Sequence, residues 1–291
     1  MAHHFLAYIN KFERDRIRFQ DTLNRMDELP LGCGASVGTG LQNDRFFLAK
    51  ELNFTRISEN SLDTISDRDF ILEILFNCSL VAMHLSRFCE EIILWFSSEF
   101  NYIKLDESFC TGSSLMPQKL NPDIAELIRG KTGRFYGNLI NLLTSIKGLP
   151  LTYNRDLQED KEALFDSIKH IKACINVFTG MMSSIQFKKD IIKSLSNDYM
   201  LATDLAEYLV KLGLPFRKAH EVIGKIIHYA YNKHLNLSSI PLNTYKKFCN
   251  LFNKSVYNIL DLTKSPDFKT TYGGTSLKEI NRQIRFWRKK I

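Results

Sequence analysis

The sequence predicts an all-α protein: a long central helical bundle followed by a small C-terminal helical domain. Three observations predict it. Apolar residues recur at alternating three- and four-residue steps along three long segments. No stretch alternates apolar and polar residues in the manner of a half-buried strand. Beyond about residue 188 the elements shorten and are punctuated by glycine, proline and cap residues. The predicted boundaries are 1–187 for the bundle and 188–291 for the smaller domain. With 291 residues, 44% of them hydrophobic, the chain can bury a core of that size.

A charged, amphipathic helix is predicted over 3–27, stopped by the glycine-rich run PLGCGASVGTG at 30–40, with a short helical piece near 44–52. Ser66, with Asp69 three residues on, gives a capping-box pattern that should open a long helix. In it Ile71, Leu75, Cys78, Ala82, Leu85, Cys89, Ile92 and Phe96 form the seam of a helix packed lengthwise on others. Leu72, Ile74, Leu80, Met83, Phe88, Ile93 and Trp95 make its other faces apolar too, and such a helix is buried all round. Its seam is about 39 Å long at roughly 1.5 Å per residue. One chain of this size would struggle to cover that length on every side, so neighbouring subunits are expected.

The next helix should start with Asn121 as N-cap and Pro122 at its first position, and stop at Gly148 with Pro150 beyond. It carries Ile124, Ile128, Phe135, Leu139, Leu142 and Ile146. Gly130, Gly133 and Gly137 share one face of it, each costing about 1 kcal/mol relative to alanine. Close approach of another helix is the expected compensation. A third long helix, roughly 158–187, repeats the seam at Leu164, Ile168, Ile171, Ile175, Phe178, Met182 and Ile185. In the smaller domain Gly213–Pro215 separates two helices, 238–243 is a turn, and Ser276 with Glu279 caps the last helix.

Composition narrows the function. The apolar run 70–96 is interrupted by Glu73, His84, Arg87, Glu90 and Glu91, which argues against a membrane span, and the first residues lack the pattern of a secretory signal. Six scattered cysteines with no CxxC pair point to reduced thiols in a cytoplasmic chain, not to disulfides or zinc. The net charge of +7 spreads over 39 basic and 32 acidic residues, and only 285–291 is densely basic. That is a solvated surface, not a stripe that tracks nucleic acid.

The chemistry concentrates in TGSSLMPQKLNP at 111–122. Two small hydroxyls, Ser113 and Ser114, precede Lys119, Asn121 and a helix N-terminus, whose free N–H groups and dipole favour anions. A lysine charge and an oriented amide there suit a carboxylate, and the extra negative charge that appears when a proton leaves the adjacent carbon. A capped polar loop between helices is the alternative reading of the same residues.

GSSLMPQKLNP resembles the GSSxMPxKxNP signature of the fumarase/aspartase superfamily, whose members release fumarate by β-elimination. Residues 126–166, with YNRDLQEDK at 153–161, and NSLDTISDRDFILE at 60–73 resemble the argininosuccinate lyase family within it, as does Gln118. The resemblance covers essentially the whole chain. It implies cleavage of argininosuccinate to arginine and fumarate by a homotetramer, with no metal or organic cofactor, and active sites drawn from three subunits.

The resemblance also implies roles. Ser113 matches the base that takes the substrate's Cβ proton; Lys119 and Asn121 match the groups that hold the fumarate-side carboxylate; Glu126 matches the carboxylate that orients a catalytic histidine. Arg68, Tyr153, Gln158 and Lys161 match residues that contact argininosuccinate. Leu120 stands where the family usually has a lysine. The family's T-H-x-Q-x-A-Q-P motif, with its histidine, would fall just before MAHHFLAYINKF, so the chain is expected to correspond to the C-terminal three-fifths of a lyase with impaired turnover. His84 and His170 are expected to be packing or surface residues. Adenylosuccinate lyase activity, and a non-catalytic, crystallin-like role, are the alternatives.

Overall fold

The computed structural model describes residues 1–116, 118–188 and 198–291; Pro117 of the loop motif lies outside them. The chain divides into two compact units, one of Ala7–Lys188 and one of Lys189–Ile291 together with Met1–Leu6.

The larger unit is built on long helices: α1 (Ala2–Met26), then short α2 (Arg45–Glu51) and α3 (Ser61–Ser66), then α4 (Asp69–Phe96), α5 (Asp123–Ile146) and α6 (Glu159–Ser184). Helix α5 runs antiparallel to α4: Ser79 bonds to the carbonyl of Phe135, Thr132 to that of Ala82, and Arg129 reaches Glu90. Helix α6 runs antiparallel to α5, with Asn138 bonded to the Ala163 carbonyl and Ser167, and Arg134 to Asp166. Helix α1 lies antiparallel along α4 through long side chains, Tyr8 stacked on Phe88, Asp15 on His84, Thr22 on Asn77 and Arg25 on Glu73. By length and composition alone α4 is apolar enough to cross a membrane. Here it is the core helix, with buried Asn77 and His84 bonded to α1 and buried Ser79 to α5.

The seam of α4 is buried from Ile71 to Ile92. Its start differs from expectation. Ser66 ends α3, its hydroxyl bonding back to the carbonyls of Leu62 and Asp63, and the cap in this region is Asn60, which accepts the Leu62 and Asp63 N–H groups. The α4 cap position falls to Arg68, because Asp67 is extended and its carboxylate takes the Asp69 N–H. In α6 the buried line is Ala163, Ser167, Ile171, Cys174, Phe178 and Met181, one residue from most of the expected seam. Ala163, Ser167 and Cys174 put small side chains on that line, where they admit close helix contact, beside the larger Ile171, Phe178 and Met181. Ile175 lies outward and exposed.

Large apolar side chains stand exposed along the bundle: Phe76 on α4, Leu127 and Ile140 on α5, Phe165 on α6. The α5 glycine stripe does not meet another helix within the chain. A Cβ added at Gly130, Gly133 or Gly137 would find nothing within 4 Å, so the close approach expected there is absent inside one chain.

Among the described residues six two-residue strands pair as β1–β2 (Glu28–Leu29, Arg56–Ile57), β3–β6 (Ile103–Lys104, Gln186–Phe187) and β4–β5 (Thr111–Gly112, Leu120–Asn121). Strands this short carry no readable period. In the glycine-rich loop Gly34 sits at φ +60, and a Cβ there would meet the Gly38 carbonyl oxygen at 2.5 Å.

The smaller unit packs α7 (Ala202–Lys211), α8 (Phe216–Asn232), α9 (Leu242–Phe248), α10 (Val256–Ile259) and α11 (Leu277–Lys290). Leu205, Leu209, Ile226, Tyr245, Phe252 and Val256 form its core. Gly213 at φ +97 separates α7 from α8, and the Ser276 hydroxyl accepts the Glu279 N–H at the head of α11. The reciprocal half of that capping box is redirected: Glu279 takes the Gly273 N–H.

Candidate active site

Strands β4 and β5 close a hairpin, Thr111 opposite Asn121 and Gly112 opposite Leu120, from which residues 113–116 and 118–119 project. The Thr111 hydroxyl donates to Asp123, pinning the base of the hairpin to the first turn of α5. Within the loop the half-buried Ser113 oxygen accepts the N–H groups of Leu115 at 3.2 Å and Met116 at 3.0 Å. Two N–H donors on one hydroxyl oxygen favour negative charge there, the condition an unassisted serine lacks as a base. The Lys119 N–H closes a turn onto the Met116 carbonyl at 3.0 Å, and the Lys119 side chain is exposed.

Asn121 is not the helix cap. Its backbone is committed to the hairpin ladder, so α5 begins at Asp123 with Pro122 in the cap position and no side-chain cap. Asp123 and Glu126 occupy the first turn instead and meet the positive end of the helix dipole. Glu126 is exposed, one turn before Arg129.

The remaining expected residues gather elsewhere. Arg68 caps α4, while Tyr153 and Gln158 are exposed on the connection between α5 and α6, and Lys161 stands in the first turn of α6. Asp160, 3% exposed, joins two of them: one carboxylate oxygen accepts Arg68 Nε at 2.5 Å, the other Lys161 Nζ at 3.0 Å. Nothing in the spacing singles out Asp160; its one sequence signal is an acidic residue beside Lys161 in a first helical turn. Thr111 and Asp123 were equally unmarked, because a hydroxyl and a carboxylate twelve residues apart meet only once the hairpin closes.

The two groups are far apart in one chain. Ser113, Lys119, Asn121 and Glu126 lie at the start of α5. Ile71 and Ala163, three residues from Arg68 and two from Lys161, pack with Leu142 near its end. Leu142 is nineteen residues beyond Asp123, about 28 Å along the axis at roughly 1.5 Å per residue. No small amino-acid substrate spans that gap. His84 belongs to neither group: it is buried, Nδ1 2.6 Å from Asp15. His170 faces Asp166 at 3.3 Å.

Residues 1–137 match the Lyase family, and residues 199–266 match the argininosuccinate lyase C-terminal family. The chain is 53% identical over 280 residues to the argininosuccinate lyase of Bacillus pumilus, covering 96% of this chain and 61% of that protein. It is 50% identical to the argininosuccinate lyase of Bacillus subtilis, over 97% of this chain and 62% of that one. The chain thus spans about three-fifths of the length of the curated relatives it matches. Among solved structures it superposes on EDDS lyase in complex with formate with a TM-score of 0.87 at 25% identity, covering 99% of this chain and 59% of that one.

Proposed function

We propose that this chain, which belongs to the argininosuccinate lyase family, forms the bundle and C-terminal portion of a cytoplasmic homotetrameric lyase that cleaves argininosuccinate to arginine and fumarate. In this reading Ser113 takes a proton from the succinyl carbon next to the carboxylate. The electron pair passes into that carboxylate, and Lys119 and Asn121 hold the resulting aci-carboxylate. As the pair returns, the double bond of fumarate forms, the C–N bond breaks, and the guanidino nitrogen leaves with a proton as arginine. Arg68, Tyr153, Gln158 and Lys161 hold the parts of the substrate that do not react. In this reading the acid that protonates the leaving nitrogen is the catalytic histidine that Glu126 would orient, carried by the family's T-H-x-Q motif, which these 291 residues do not contain.

The observation that carries the proposal is the separation of the two groups by about 28 Å along α5. Residues that serve one small substrate must then come from different copies of the chain. Exposed Leu127, Ile140 and Phe165, with the open glycine stripe of α5, are the faces such copies would cover.

The test is fumarate release from argininosuccinate by the 291-residue chain, alone and with a separately expressed segment that carries the T-H-x-Q motif. Without a positioned acid the rate should fall by roughly 10²–10⁴, and the added segment should restore it. Near-normal release from the chain alone would reassign the acid, with His3, His4 and His170 the first candidates. No release in either case, from a folded tetramer, would leave the non-catalytic, crystallin-like role.

A further inference from the structure

We infer that Asp160 is a positioning residue, which sets Arg68 and Lys161 as one cationic clamp for the substrate; the inference rests on the lyase reading above. A buried carboxylate needs a cation, and Arg68 Nε at 2.5 Å already supplies one. A stitch between α4 and α6 would be complete with that pair. Asp160 nevertheless holds a second cation on its other oxygen, Lys161 Nζ at 3.0 Å, from a side chain that is 60% exposed. Two cations on one carboxylate leave a net charge of +1 at a solvent-facing edge.

The donors left over point the same way. Arg68 Nη1 is turned onto the carbonyls of Asp67 at 2.5 Å and Ile65 at 3.4 Å, which together with the Asp160 bond fixes the guanidinium plane. Among the described residues no bond is recorded to Nη2, and Lys161 spends one of its three donors on Asp160. The exposed Tyr153 and Gln158 lie on the connection that leads into the same turn of α6. Asp160 is itself 3% exposed, so it acts on substrate through the two cations.

Asp160→Asn keeps the shape and removes the charge that holds both cations. Because the clamp grips a non-reacting part of the substrate, KM for argininosuccinate should rise about tenfold or more while kcat stays within about threefold. The assay is turnover by the chain together with the T-H-x-Q segment. In a Lys161→Gln background the same change should raise KM much less, since part of what Asp160 positions is already gone. Unchanged KM in Asp160→Asn, or effects of the two substitutions that simply multiply, would overturn the inference. If Asp160→Asn does not assemble, Asp160→Glu keeps the charge but displaces it by one methylene. A raised KM then supports the clamp, and an unmoved KM overturns it. Wild-type turnover separates the two readings. Its absence removes the lyase and the clamp together, whereas normal wild-type turnover with an unmoved variant KM removes the clamp alone.

Discussion

Ser113→Ala and Lys161→Ala, each impaired alone when assayed below the wild-type KM, should complement one another when co-assembled. Along α5 the Ser113 loop and the Lys161 turn are about 28 Å apart, so in the proposed tetramer each site takes them from different chains. Ser113→Ala alone should lose roughly 10²–10⁴ in rate, as expected for a lost general base. Lys161→Ala should weaken substrate capture, which is read below the wild-type KM. In an equal mixture, the chain that supplies residue 113 to a given site carries an intact serine half of the time. The chain that supplies residue 161 carries an intact lysine half of the time, independently. About one site in four then has both, and turnover should recover to about a quarter of wild type for random assembly. The assay is fumarate release after the two variants are co-expressed, with each variant alone as control. If both residues of a site came from one chain, every site would carry one lesion and the mixture would do no better than the average of the two variants alone. That result would refute the composite site.

Three further outcomes follow from the coordinates. Gly133→Leu replaces an exposed helical glycine whose added Cβ meets nothing within 4 Å, so in an isolated chain it should be neutral or gain up to about 1 kcal/mol in helix propensity. Dissociation of the tetramer measured by light scattering would place a neighbouring copy on that stripe, and an unchanged mass would remove it. Arg134, with Asn138 and His170, holds the Asp166 carboxyl at about 2, below its unfolded value of about 3.9. A depressed carboxyl stabilises the fold fully above about pH 4 and loses that contribution as the pH falls toward 2. The Tm gap between wild type and Asp166→Asn should therefore close over that window, and a gap independent of pH would contradict the ion pair. Burial pushes the Cys78 and Cys89 thiols up to about 12, so iodoacetamide at neutral pH should leave both unlabelled in the folded chain, as mass spectrometry would show.

The residues of 71–92 by themselves point to a core helix, because an apolar seam at three- and four-residue steps that is interrupted by Glu73, His84, Arg87, Glu90 and Glu91 is best buried against other helices. The loop chemistry is equally local, since Ser113, Lys119 and Asn121 lie within nine residues and their types match a known signature. Helix starts were legible only to within a residue or two. Asn121 and Ser66 are good caps by type, but a hairpin ladder claimed the first and a preceding helix the second. The α6 seam moved by one residue because packing selects small side chains where helices meet closely, and hydrophobicity alone cannot separate Ala163 and Ser167 from Leu164 and Ile168. Only the tertiary structure could reveal Asp160 between two cations, one of them ninety-two residues away, or the distance that divides the site residues into two groups. Sequence names the chemical groups and the periods of their helices. Where those groups stand depends on contacts between distant elements, and no period along the chain encodes them.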